Sequence, residues 1–202
     1  MLWHVWQRAV RADVDVVIAA CDDEVAQVAR DFGAEVVLTD PSLECGSDRV
    51  AEVVRARPVD HIVNLQADEP LVEPETLCRL FQELELPEVH VCTPVAPMQV
   101  DPGPSAVKVV VDARDDALYF SRAPIPHGGP FLRHLGLYGY KREALFDFVG
   151  LGPGTLERVE GLEQLRLLEH GFGIRVVRVS QAPPSVDTEQ DLGVVRELLE
   201  GP

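Results

Sequence analysis

Two acidic positions have the type and placement to do metal chemistry. Asp68 follows the apolar run His61–Leu65 within Gln66-Ala67-Asp68-Glu69-Pro70, and Asp187 sits in Val186-Asp187-Thr188 just ahead of a helical pattern. An aspartate leaving a strand end projects a short, rigid oxygen ligand into a crevice, which suits Mg2+, a cation that takes one or two carboxylates together with phosphate oxygens. Two such carboxylates far apart in sequence can share one cation. Each also has a plainer explanation: Asp68 and Glu69 opening a solvated turn, and Asp187 complementing the dipole of the last helix.

A second constellation is basic. Gly46-Ser47-Asp48-Arg49, Lys108, Ser121-Arg122 and Arg133-His134 fall in turns or at element ends, where a guanidinium fork can grip a carboxylate or a phosphate. Most surface arginines are merely solvated or weakly paired, and His134, flanked by Leu132 and Leu135, fits a core histidine equally well. A third set, Glu160, Glu163 and Gln164, lies on LERVEGLEQLRLLE, whose buried stripe is Leu162, Leu165 and Leu168. Glu163 and Gln164 either enter a polar pocket that binds hydroxyls or stay on a solvated face beside arginines.

The elements that must position these residues alternate. Val14–Ala20 reads as a strand, Asp22 and Asp23 open a helix closed by Gly33, and Glu35–Leu38 reads as a second strand. Ser47 can N-cap a helix through Arg57, His61–Leu65 is a third strand, and Pro74 starts a helix over PETLCRLFQEL. Val89–Val95 is a further strand, and Pro97–Pro104 breaks the pattern. Val107–Val111, Leu118–Phe120 and Arg133–Tyr140 then read as strands joined by turns. One amphipathic helix spans about Leu156 to His170, Ile174–Val179 is a late strand, and Thr188 with Asp191 resembles a capping box before the final helix. The expectation is an α/β domain with a mixed, mostly parallel sheet, helices on both faces and a β-rich insertion at about 97–155. In such sheets ligands bind beyond the carboxyl ends of the strands, where the Asp68 segment falls.

Composition narrows the function. With 202 residues, 46% of them hydrophobic, the chain can bury a sizeable core, so disorder and coiled coil are excluded. No apolar run approaches the roughly 18 residues needed to span a bilayer, and MLWHVWQRAV lacks the parts of a signal peptide, so a cytoplasmic protein is expected. The balance of 18 basic against 34 acidic residues, a net charge of −16, opposes broad contact with nucleic acid. A small anionic ligand in a locally positive cleft remains compatible with it. Four scattered cysteines, Cys21, Cys45, Cys78 and Cys92, suggest neither a zinc site nor a disulfide framework.

Taken in order, these pieces resemble the 3-deoxy-manno-octulosonate (Kdo) cytidylyltransferases, a branch of the sugar nucleotidyltransferases. The resemblance runs from Val5 to the C-terminus through CGSDR (45–49), VNLQADEP (63–70), AVKVVVDA (106–113), ALYFSRAPIP (117–126), FLRHLGLYGY (131–140), LERVEGLEQLRLLEHG (156–171) and VDTEQDL (186–192). It implies a Rossmann-like nucleotide-diphospho-sugar transferase fold, a homodimer, and Mg2+-dependent transfer of cytidylyl from CTP to Kdo for lipopolysaccharide biosynthesis. Asp68 and Asp187 match the metal carboxylates and the catalytic centre, and Gln66 and Arg49 match nucleotide-side positions. Arg122, His134, Tyr138, Glu163 and Gln164 match positions that hold the acid sugar. The resemblance leaves two alternatives: an N-acylneuraminate cytidylyltransferase, against which LRHLGLYGY argues, and a catalytically inactive binding or oligomerisation relative.

Departures from the pattern bear on the second alternative. The family begins with a strand and a basic, glycine-containing loop of the form PARxxSxRLPGKPL that cradles the CTP phosphates, and Met1–Val5 aligns just after that loop. The chain is therefore expected to lack this phosphate-gripping element and the central strand before it. Ala67 stands where glycine is usual, Asp48 where glutamate is commoner, and HGGP (127–130) is a short connector.

Overall fold

Only the second part of the apolar run expected as a strand at Val14–Ala20 becomes one, and a helix precedes it. In a computed structural model, which describes residues 1–43, 45–101 and 103–200, helix α1 (Leu2–Val10) leads into β1 (Val17–Ala20). Helix α2 (Asp23–Asp31) begins where expected because the Asp22 side chain accepts the Val25 N–H at 2.8 Å, and it ends before Gly33, whose φ of +87° favours glycine. Strand β2 (Glu35–Leu38) then pairs in parallel with β1.

Helix α3 (Gly46–Arg55) has Cys45 as its N-cap, two residues before the expected Ser47, and ends two residues before the expected Arg57. Ser47 is fully buried inside the helix instead. A side chain on Gly46 would come within 3.1 Å of Gln66 Nε2, so glycine lets the helix start lie against that amide. Strand β3 (His61–Asn64) and helix α4 (Pro74–Leu84) follow as read from the sequence.

The described residues form two compact units. The first comprises Met1–Val59, Asn64–Cys78 and the stretch from Pro183 onward; the second comprises Asp60–Val63 and Arg79–Ala182. Within the second unit the organising element is β4 (Val91–Met98), which is buried from Val91 to Ala96. It continues past the expected stop at Val95. The hairpin β5 (Lys108–Val111) and β6 (Ala117–Ser121) follows, then β7 (Phe131–His134) and β8 (Tyr138–Lys141).

The stretch Arg133–Tyr140, expected as one strand, is thus split at Leu135-Gly136-Leu137. Both halves pair antiparallel with β4, β7 between Val95 and Met98 and β8 at Val91 and Cys92. Helix α5 (Arg142–Gly150) was not expected; it buries Ala144, Leu145 and Phe148. Helices α6 (Thr155–Glu160) and α7 (Gln164–Glu169) replace the single long helix. Gly161 separates them in the left-handed region, φ +65°, and its N–H bonds Glu157 O at 2.8 Å. The Glu169 carboxylate holds the other end of α6, accepting the N–H groups of Thr155 and Leu156 at 2.9 Å.

Strand β9 (Arg175–Arg178) adds in parallel to β4 between Cys92 and Val95. Its pairing stops there, so Pro97, which has no N–H, lies where only β7 is registered against β4. Parallel pairing thus joins β1 to β2 and β4 to β9, and antiparallel pairing takes over where β5 to β8 are joined by short connections. Helix α8 (Glu189–Glu200) closes the sequence in the first unit. Among the described residues no helix is long and apolar enough to cross a membrane.

Candidate active site

In the first unit, the chain leaves β3 and turns at once. Glu69 N–H bonds Gln66 O at 3.3 Å, which bends the segment and directs Asp68 away from the strand. The carbonyl of Asp68 accepts the Val186 N–H at 2.9 Å, tying the Asp68 turn to the segment carrying Asp187. The two acidic positions singled out from the sequence, far apart along the chain, are therefore neighbours in space.

Their surroundings are electrostatically unsatisfied. Asp68 Oδ1 is buried without a hydrogen-bond partner, and so is Asn64 Nδ2 in the same stretch. Burial pushes the Asp68 carboxyl up from its ordinary value, and the negative charge of Asp187 pushes it further. A carboxylate in this position lacks a positive counterpart. A cation would supply it.

The Asp187 side is held by the last helix. Asp191 Oδ2 accepts the N–H of Asp187 at 3.3 Å, the N–H of Thr188 at 2.9 Å and the hydroxyl of Thr188 at 2.8 Å. Asp191 N–H donates back to Thr188 Oγ1 at 3.2 Å, completing the reciprocal cap expected from the sequence. Asp187 itself is exposed. Among the described residues no group of three or more His, Cys, Asp or Glu side chains forms a closed metal cage. Two carboxylates, one with a buried oxygen to spare, fit a Mg2+ ion that keeps waters and takes its remaining ligands from phosphate.

Arg49 and Gln66 belong to the same unit. The Arg49 guanidinium donates to Thr39 Oγ1 at 3.2 Å, Asp40 O at 3.0 Å and Leu43 O at 2.6 Å. Thr39 in turn bonds the carbonyl of Ala20, the last residue of β1. Arg49 thus braces the loop at the carboxyl ends of β1 and β2. Gln66 packs its amide against the start of α3.

The second unit gathers the remaining candidates. His134 is buried, with its ring 5.2 Å from Phe120 and 5.3 Å from Tyr138, and its Nε2 lies 2.9 Å from Thr93 Oγ1. Thr93 donates its hydroxyl hydrogen to Leu137 O at 2.7 Å, so Nε2 carries the proton given to Thr93 and Nδ1 is an acceptor. Burial lowers the His134 pKa to about 3, which keeps the ring neutral. At the level of packing it is the core histidine that its leucine neighbours allowed, uncharged and with one acceptor nitrogen.

Tyr138 is buried beside it, and burial pushes its phenol well above the ordinary value, with the nearby charges of Tyr140 and Glu163 adding to the effect. Glu163 is half-buried just before α7, and Gln164, the first residue of that helix, is buried. The exposed Arg122 follows β6, with its N–H on Glu160 Oε2 at 3.2 Å and its guanidinium Nη1 on Ser105 O at 3.1 Å. Glu160, named in the sequence without a separate role, also accepts the Ser121 hydroxyl at 2.9 Å. The sequence signal for it was its place beside Glu163 on one helical pattern.

Comparison with known proteins places the chain in a family. The profile of a family described as cytidylyltransferase matches residues 1–178. A 3-deoxy-manno-octulosonate cytidylyltransferase of Halorhodospira halophila is 45% identical over 220 residues, covering 98% of this chain and 86% of that protein. Its counterpart in Chlorobaculum parvum is 42% identical over 217 residues with the same coverage. A solved CMP:2-keto-3-deoxy-manno-octonic acid synthetase complexed with CTP superposes with a TM-score of 0.93 at 37% identity, over 98% of this chain and 87% of that one. The chain therefore belongs to the cytidylyltransferase family, in its 3-deoxy-manno-octulosonate branch.

Proposed function

We propose that this protein activates Kdo with CTP, giving CMP-Kdo and pyrophosphate. The similarity to the Kdo enzymes along nearly the whole chain supports the substrates. The observation that carries the site is the Asp68–Asp187 pair, clipped together by the Val186 to Asp68 hydrogen bond and containing a buried oxygen with no partner. Asp68 and Asp187 would hold Mg2+, which would supply charge neutralisation for the phosphate oxygens.

In the transfer, the anomeric hydroxyl of Kdo gives up its proton to solvent as its oxygen bonds to the α-phosphorus of CTP, the bond from that phosphorus to the oxygen bridging to the β-phosphorus breaks, and pyrophosphate leaves. The protein's part is positioning and electrostatics. Gln66 and Arg49, with the loop it braces, serve the nucleotide. Arg122 offers a guanidinium to the sugar carboxylate. His134, neutral and with Nδ1 as an acceptor, takes a hydrogen bond from a sugar hydroxyl, and Tyr138, Glu163 and Gln164 supply further polar contacts.

Pyrophosphate release tests the reading directly. With CTP, Kdo and Mg2+ present, turnover is expected; with N-acetylneuraminate in place of Kdo it should fall to background. Release with the second sugar and not with Kdo would overturn the assignment. The same reading includes a homodimer, for which light scattering should return twice the mass of one chain.

A further inference from the structure

Lys108 is completely buried, an unusual place for an ammonium group. Its cost is met by polar partners on every donor. Nζ donates to Gly103 O at 2.9 Å, to Ala106 O at 2.9 Å and to Arg122 O, with Asp101 Oδ1 at 3.6 Å. The sequence shows the oddity as a single charge in the apolar strand AVKVVV.

These partners are not scattered. Arg122 bonds back to the same loop, its Nη1 donating to Ser105 O at 3.1 Å and lying 3.4 Å from Pro104 O. The ammonium therefore joins the backbone of Arg122 to the segment that grips the Arg122 guanidinium, while Glu160 holds the Arg122 N–H from another direction. The side chain offered to the anionic sugar is fixed at its root and at its tip, and Lys108 is the atom group common to both fixings. A neutral residue of the same length would fill the space and leave the carbonyls of residues 103, 106 and 122 without their donor.

We infer that Lys108 is a positioning residue for the acid-sugar site, acting through Arg122. The inference rests on Arg122 as the grip on the Kdo carboxylate, and the test separates the two ideas. It is a double-mutant cycle with Lys108→Met, which keeps the stem and removes the donors, and Arg122→Gln, alone and together, read as KM for each substrate. Lys108→Met should raise KM for Kdo at least ~10-fold, because small misplacements of a binding group are costly, and leave KM for CTP within ~2-fold. The double variant should match Arg122→Gln to within ~2-fold, the mark of two residues acting as one unit. Losses that multiply, or equal rises in both KM values, would overturn the Lys108 inference while leaving Arg122 in place. An unchanged KM for Kdo in Arg122→Gln would overturn the Arg122 reading and the inference with it. If Lys108→Met yields no folded protein by circular dichroism, the cycle is run with Lys108→Gln, whose amide can serve at most two of the three carbonyls: KM for Kdo should still rise and KM for CTP stay within ~2-fold, and an unchanged KM for Kdo would overturn the inference.

Discussion

Asp68 carries a local conflict, a carboxylate with a buried, unpartnered oxygen beside a second acid. Its raised pKa means that the folded state binds its proton more tightly than the unfolded state does. Stability of the metal-free protein should therefore fall as pH rises from the ordinary carboxylate value through the raised one. Asp68→Asn removes that slope, so thermal scans of the metal-free variant should show equal or higher Tm at neutral pH. The variant should also lose the Mg2+-dependent rise in Tm, which at 100-fold saturation is worth about 2.7 kcal/mol for a specific site, together with most turnover. An undiminished Mg2+ response would remove Asp68 from the cation site.

His134 has the opposite linkage. Its pKa is lowered from 6.5 to about 3 in the folded state, so the unfolded chain takes up the proton first on acidification. Its contribution is present above pH 6.5 and is lost as pH falls toward 3. Replacing it by Gln, which retains an N–H for Thr93, should flatten the decline in stability across that interval, as measured by urea unfolding at several pH values.

At the scale of elements, the cap that precedes α8 is the part of the candidate site most open to surface mutagenesis. Asp191→Ala removes the acceptor for the amides of Asp187 and Thr188 and should lower Tm in a thermal scan. It should also weaken Mg2+ binding in a calorimetric titration, because the turn that presents Asp187 is no longer held. This cap was legible in the sequence, since Thr188 and Asp191 lie three apart before an apolar helix pattern. So were the order and type of β1 to β3 and α2 to α4, though not the start of β1 or the cap of α3. The split between β7 and β8 was not legible, because the signal for separation is their shared pairing with β4, a nonlocal fact. The division of α6 from α7 rests on Gly161, one residue inside an otherwise continuous amphipathic pattern. Helix α5 escaped because its buried residues cluster at 144, 145 and 148 without the longer repeat that marks a helix over several turns.

For the candidate site the same distinction holds. Residue type with strand-end position singled out Asp68, and residue type ahead of the last helix singled out Asp187, but their adjacency depends on the bond from Val186 to Asp68, which no local pattern predicts. Arg49 and Arg122 were recognisable as cations in a strongly acidic chain. Their bracing of neighbouring loops was not, since a guanidinium can serve carbonyls and anions equally.

At the scale of the whole molecule, a net charge of −16 has two consequences. It repels itself in the compact state, and it repels both anionic substrates until they reach a locally positive group. Raising NaCl from 10 to 150 mM shortens the Debye length from about 30 to about 8 Å, so Tm should increase and kcat/KM for Kdo should rise at constant free Mg2+. A fall in both on adding salt would show that favourable charge pairs, not the overall acidity, dominate.

The first unit is assembled from three separate stretches of sequence, and the bond between Val186 and Asp68 joins two of them. During translation, a polypeptide that has emerged only as far as residue 180 holds one half of its acid pair and nothing to complete it. Divalent-ion affinity should consequently be acquired late in synthesis, and ribosome-bound intermediates stalled before Asp187 should be inert even where the second unit has already formed.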